Sequence, residues 1–275
     1  MILLIEVSRV KTSFSPFAEI TMKDKNPYRL VPTLSLSESY QDKTLGGTIP
    51  LEPFLKFSQF LFTYSSMPFA VPTSIMEGLF AEAIGGYVVK GMGKVDVISS
   101  DNKTAYQIKT MVSVCNQTVW GRMTLRNKLE MLPASLIDAG VCSTIGNNLL
   151  DELHAEFEQT FKVFSRFVYV QVMKEDDGHT LLLINEICRE KLLDFLLSNF
   201  EWKWSKKPTN PDHYQSLRAY YMGKHVFTWN GLSGNHFRIT DLAYFLNEVS
   251  ASSVCIRLPA SISTLTHEQL VGKMG

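Results

Sequence analysis

Apolar positions recur at helical spacing in residues 51–64 (LEPFLKFSQFLFTY), which predicts a buried helix ended by Pro68 and Pro72. Thr73 or Ser74 is placed to cap a second helix over 75–84, ahead of Gly85 and Gly86. Alternation with period two then predicts strands over 95–99 and 104–109. A helix or irregular connection is expected over 120–131, carrying Arg122, Arg126 and Lys128. Leu153, Phe157, Phe161 and Phe164 mark an amphipathic helix over 151–164. Strands over 167–173 and 180–184 flank Glu175-Asp176-Asp177-Gly178, a hairpin signal. Asn185 is read as the cap of a helix running to about 200, and Thr240 as the cap of a last helix over 241–249. Between them, 208–238 reads as strands and loops. A short strand over 2–7 is also expected. Interleaved strands and helices give an α/β (α+β) class with a mixed sheet.

Composition narrows the picture. A chain of 275 residues with 45% hydrophobic content supports a sizeable core. The formal charge is zero, so global charge announces no polyanionic partner. Charge by segment differs: 151–200 holds ten acids against five Lys and Arg, whereas 201–240 holds six Lys and Arg against two acids. A zero sum can therefore hide a local basic surface, and only the local field meets a phosphate. The four cysteines are scattered with no CxxC, which argues against a disulfide or zinc framework and for reduced thiols. No apolar run approaches the roughly 20 residues of a membrane span, and a cytoplasmic location is expected. The histidines form no HExxH, no G-K-[ST] follows the glycine pairs, and no serine sits in a nucleophile elbow.

The informative stretch is 93–110, GKVDVISSDNKTAYQIKT. With Asp101 and Asn102 at the centre of a tight turn, cross-strand partners have numbers summing to 203. Asp96 then faces Gln107, with Cβ atoms roughly 5 Å apart. Lys109 lies two residues on, on the same face and diagonal to Asp96. Tyr106 and Ile108 point the other way, with Val95 and Val97. One acid, one amide and one ammonium converge on an otherwise apolar hairpin. A magnesium ion takes oxygen ligands at about 2.1 Å. The candidate ligands are Asp96, the Gln107 amide oxygen and the Ile108 carbonyl, with Lys109 beside them to stabilise developing charge.

An Asp, ten intervening residues and Gln-x-Lys on a hairpin, after a glutamate-bearing helix, resemble the PD-(D/E)XK nuclease superfamily. The Gln-for-Glu form is similar to certain type II restriction endonucleases. The resemblance covers 74 to about 112, and Val95 stands where the family name has proline. It implies a restriction-endonuclease-like core, a central mixed β-sheet flanked by helices. It implies a Mg²⁺-dependent, sequence-specific double-stranded DNA endonuclease of a bacterial restriction system, leaving a 5′-phosphate and a 3′-hydroxyl. Asp96 is then the metal-bridging acid, Gln107 takes the second acidic position, Lys109 is the motif lysine, and Glu82, with Glu77 in reserve, completes the site. Gln107 removes one negative charge from that site. A palindromic target favours a homodimer. A repair or structure-specific nuclease of the same core, and a non-cleaving DNA-binding module with a degenerate site, are the alternatives.

A DNA partner requires cations for phosphate and donors for base edges. Residues 202–238 mix Lys and Arg with Asn, His and aromatics. Arg218 and Arg238 suit guanine, Asn230 and Asn235 suit adenine, and Lys206, Lys207 and Lys224 suit phosphate. Arg122 and Arg126 form a second candidate patch. The whole, 1–275, is expected to be a single nuclease domain: an N-terminal part over 1–70, a catalytic core over 74–200, and a DNA-recognition part over 201–275.

Overall fold

In the computed structural model, the described residues are 27–28, 30–35, 43–65, 73–90, 93–111, 114–123, 139–175, 177–207, 210–230 and 236–258. The strand expected over 2–7 lies outside them, as do Arg126, Lys128 and Asn235. In chain order the strands of the main sheet are β1 (Thr33–Ser35), β4 (Tyr87–Val88), β5 (Val97–Ile98), β6 (Thr104–Met111), β8 (Arg166–Lys174), β9 (Thr180–Ile187) and β14 (Ser250–Leu258). They line up as β1-β14-β9-β8-β6-β5-β4. The sheet is mixed: β6 and β8 run parallel, as do β1 and β14, and the remaining pairs are antiparallel. A second sheet takes β7 (Thr118–Arg122), β10 (Glu201–Lys207), β11 (Asn210–Tyr221), β12 (Lys224–Asn230) and β13 (His236–Ile239), in the order β10-β11-β12-β13-β7. A small ribbon pairs β2 (Thr44–Leu45) with β3 (Ile49–Pro50).

Each face of the main sheet has its own core. Helices α1 (Glu52–Ser65) and α2 (Thr73–Ile84) cover one face. There Phe54, Phe57 and Phe80 meet Tyr106, Ile108, Val168 and Val170, with Phe57 and Phe80 edge to face at 5.0 Å. The other face meets α3 (Ala139–Val163), α4 (Arg189–Leu196), α5 (Leu242–Val249) and the inner face of the second sheet. Ala105, Phe167 and Leu183 of the main sheet join Phe227, Phe237, Phe245 and Trp229 in that core. Period two along β6 makes this possible, because odd and even residues go to opposite layers. Helix α3 provides the long crossover that a parallel β6–β8 pair requires. It lies close to β10 at Gly146, where an added Cβ would fall 2.0 Å from the Trp202 ring.

Several expectations change. Residues 120–122 are strand, not helix, because β7 completes the edge of the second sheet beside β13. Asn185 caps nothing: it continues β9, its side chain accepts a hydrogen bond from Ser253, and α4 starts after Cys188. Asp241, not Thr240, caps α5, its carboxylate accepting the Tyr244 N–H. The stretch 201–258 does not form one part of its own, since β14 returns to the main sheet between β1 and β9.

Candidate functional site

The β5–β6 hairpin keeps the register read from the sequence: Val97 pairs with Tyr106 and Ile98 with Ala105. At its turn Asn102 alone takes a positive φ, 58°, while the Asp101 carboxylate accepts the Ser99 hydroxyl and the Lys103 N–H. The paired register ends at Val97, although the Asp96 N–H still donates to the Tyr106 carbonyl at 2.9 Å. Val95 belongs to the core under the second sheet and Val97 to the core under α1 and α2, so the two do not share a face as expected. Asp96 sits at that crossing. Its carboxylate accepts the Ile108 N–H at 2.8 Å, and the Lys109 ammonium lies 4.0 Å away. A strand residue turns its N–H and C=O to the same edge, so the Ile108 carbonyl faces the gap that β5 leaves.

Gln107 is not with them. It is 1% exposed. Its amide oxygen accepts the Trp120 indole N–H at 3.1 Å, and its Nε2 donates to the Trp120 carbonyl at 3.4 Å. The expected meeting of the Asp96 and Gln107 side chains across the hairpin is therefore absent. Each has found a backbone or indole partner that the hairpin alone does not reveal.

The helix carboxylate also changes. Glu77 is half-buried, and burial raises its pKa, followed by the Asp96 charge, with Lys109 and Lys90 opposing. Glu82 is exposed, five residues on and about 140° around the helix. Glu77, not Glu82, shares the electrostatic field of Asp96 and Lys109. Asp96 itself is raised by burial, with Lys109, the Ile108 N–H and Lys94 pulling it back.

The sequence reading omitted Lys94, Glu156 and Trp120 from the site. Lys94 is 5% exposed and meets Glu156 of α3 at 3.4 Å. Two glycines make room for that pair: a Cβ on Gly93 would fall 1.9 Å from the Glu156 carboxylate, and one on Gly121 would fall 2.3 Å from the Lys94 ammonium. Burial of a lysine two residues before Asp96 has no signature in composition or period.

At the gap the Asp96 carboxylate and the Ile108 carbonyl are hard oxygen ligands that suit magnesium, and Glu77 is a further carboxylate within their electrostatic reach; Gln107 adds nothing while it holds Trp120. A different acidic group, Glu175, Asp177 and His179, lies at the β8–β9 turn. Arg257 already occupies it, bonding Glu175 at 2.6 Å and Asp177 at 2.8 Å.

The cations expected to meet DNA sort by face. Lys203, Arg218, Thr228 and Arg238 stand in one cross-strand row, and Asn230, His236 and Arg122 in a second. Both rows lie opposite the core residues Trp202, Leu217, Phe227 and Phe237, so they form the outer face of the second sheet. Lys224 does not join them: it pairs with the inward Tyr221, and its ammonium rests 4.1 Å over the Tyr244 ring of α5. Lys206 and Lys207 end β10. Among the described residues, no helix is long and apolar enough to cross a membrane.

Comparison with protein-family models, with curated proteins and with solved structures found no match for this chain.

Proposed function

We propose that this chain is a magnesium-dependent endonuclease that hydrolyses phosphodiester bonds in double-stranded DNA, of the sequence-specific type II kind. The observation that carries the reading is the convergence at the end of β5: the Asp96 carboxylate on the Ile108 N–H, the Lys109 ammonium 4.0 Å from it, and Glu77 in the same field. Asp96, Glu77 and the Ile108 carbonyl are the groups that would hold the cation. What magnesium supplies there is charge neutralisation at the phosphate and a lower pKa for water. Asp96 is fixed by a backbone N–H, so its carboxylate is oriented before substrate arrives. Lys109, half-buried beside it, directs an ammonium toward negative charge that develops on the phosphate oxygens as water attacks in line. The bond to the 3′ oxygen breaks, leaving the 3′-hydroxyl and the 5′-phosphate.

The engaged Gln107 amide favours a second reading, a DNA-binding module with a site too poor in ligands to cut. One experiment separates the two. Purified protein is incubated with supercoiled plasmid and Mg²⁺, and the product ends are sequenced. Discrete fragments are expected, with cleavage reduced at least 100-fold by Lys109→Ala while DNA affinity is retained. Undiminished cutting by that variant removes Lys109 from the chemistry. Intact plasmid with wild-type protein selects the binding module, and cutting only at branches or ends selects a structure-specific nuclease.

A further inference from the structure

The geometry points to the outer face of the second sheet as the surface that holds the DNA duplex, with Arg218 and Arg238 gripping its phosphates. That the polyanion is DNA rests on the proposed hydrolytic function; that the face takes a polyanion rests on its own charge pattern.

Arg218 and Arg238 flank Thr228 in one row, so their Cα atoms stand two strand spacings apart, about 10 Å. Arg122 is paired with His236, two residues from Arg238 on the same strand, and is therefore the diagonal neighbour of Arg238. Among the residues of this face whose side chains are described, the acid is Glu201, and it meets Lys203 at 2.7 Å; β11 also carries Asp212. Among the residues whose side chains are described, no carboxylate pairs with Arg122, Arg218 or Arg238. The Arg238 Nε is buried without a hydrogen-bond partner. Three guanidinium groups on one sheet face repel one another, and the planar guanidinium fork matches the geometry of a phosphate.

The rest of the face suits the same ligand. His225 stacks on Tyr220 at 5.1 Å and donates or accepts at the Thr228 hydroxyl, which ties the centre of the sheet together. Asn230, half-buried in the second row, adds the donor–acceptor pair that reads adenine. Charge complementarity selects the partner: in a chain of zero formal charge, residues 201–240 hold six Lys and Arg against two acids.

The test measures binding of a mixed-sequence DNA duplex by fluorescence anisotropy, without divalent cation, across a salt series. Arg218→Gln and Arg238→Gln are each expected to weaken binding about tenfold and to flatten the slope of log K against log[salt] by about 0.9, one phosphate contact each. Lys162→Gln, an exposed lysine at the end of α3, is expected to bind as wild type. Melting curves accompany each variant, and Arg238→Lys, which keeps the charge without the fork, is expected to recover part of the affinity. Unchanged affinity and slope in both glutamine variants overturn the assignment, as does preference for RNA or heparin over the duplex. Plasmid cutting by wild type with unaltered binding in the arginine variants removes this face and leaves the nuclease standing. Binding that depends on the arginines without any cutting does the reverse.

Discussion

Asp96 is held where its charge is disfavoured, and this separates stability from function at a single residue. Burial raises its carboxyl, and the Lys109 charge and the Ile108 N–H only partly offset that. A raised carboxyl binds a proton more readily in the folded chain than in the unfolded one. Its ionisation therefore weakens the fold: stability is fully present below the unfolded pKa and lost as pH rises through the folded one. Asp96→Asn is accordingly expected to raise stability near neutrality, read as a higher Tm, while abolishing the proposed cleavage. The gain should disappear in melts recorded below the ordinary carboxylate range, where wild type is already protonated. A lower Tm for Asp96→Asn at pH 7 would show that the site is not strained by its acid. At this scale the sequence is partly transparent. The nearness of Asp96 and Lys109 follows from turn chemistry and register, which are local. The loss of Gln107 to Trp120 does not, because the partner arrives from a strand 13 positions away in another sheet. Choosing Glu77 over Glu82 requires knowing which way α2 rolls, and Met76 and Phe80, both buried, fix that only after packing.

Elements with strong period announce themselves, and those built by pairing do not. Helices α1 and α2 and strands β6, β8 and β9 fall within a few residues of where apolar spacing puts them. The hidden ones include β7, β10 and β14. Strand β14 opens with SASS and carries Arg257, so it lacks a clean alternation; its place is set by its neighbours β9 and β1. Asn185 misleads for a related reason, since a residue type that caps helices here bonds Ser253 across two strands. Helix α3 starts well before the amphipathic stretch over 151–164, because its first turns seat against β10. Gly146 is the point of closest approach, and Trp202 is anchored by its indole N–H on the Asn147 side chain. Gly146→Ala is expected to cost about 1–3 kcal/mol through overpacking, despite the better helix propensity of alanine. Denaturant melts monitored by tryptophan fluorescence measure it. A variant as stable as wild type would mean that α3 and β10 slide apart without penalty.

The whole molecule does not divide at residue 200. One core cluster joins the main sheet, α3 and the second sheet, and β7 leaves the hairpin region to become the far edge of the second sheet. The chain is thus legible as a mixed α/β fold with helices on its sheet, while the interlocking of its two sheets is long-range and invisible to local pattern. Strand β7 has a consequence of its own. Its Trp120 is bonded to Gln107 on β6, and its Arg122 stands two residues on, among the cations of the outer face. Strand β7 therefore links the outer face to β6, the strand that carries Gln107 and, two residues on, Lys109. Thermodynamic reciprocity then applies: if the duplex tightens magnesium by some factor, magnesium tightens the duplex by the same factor. Calorimetric titrations in both orders, on Lys109→Ala to prevent turnover, are expected to give equal factors above one, reduced toward one when Trp120→Phe removes the indole N–H.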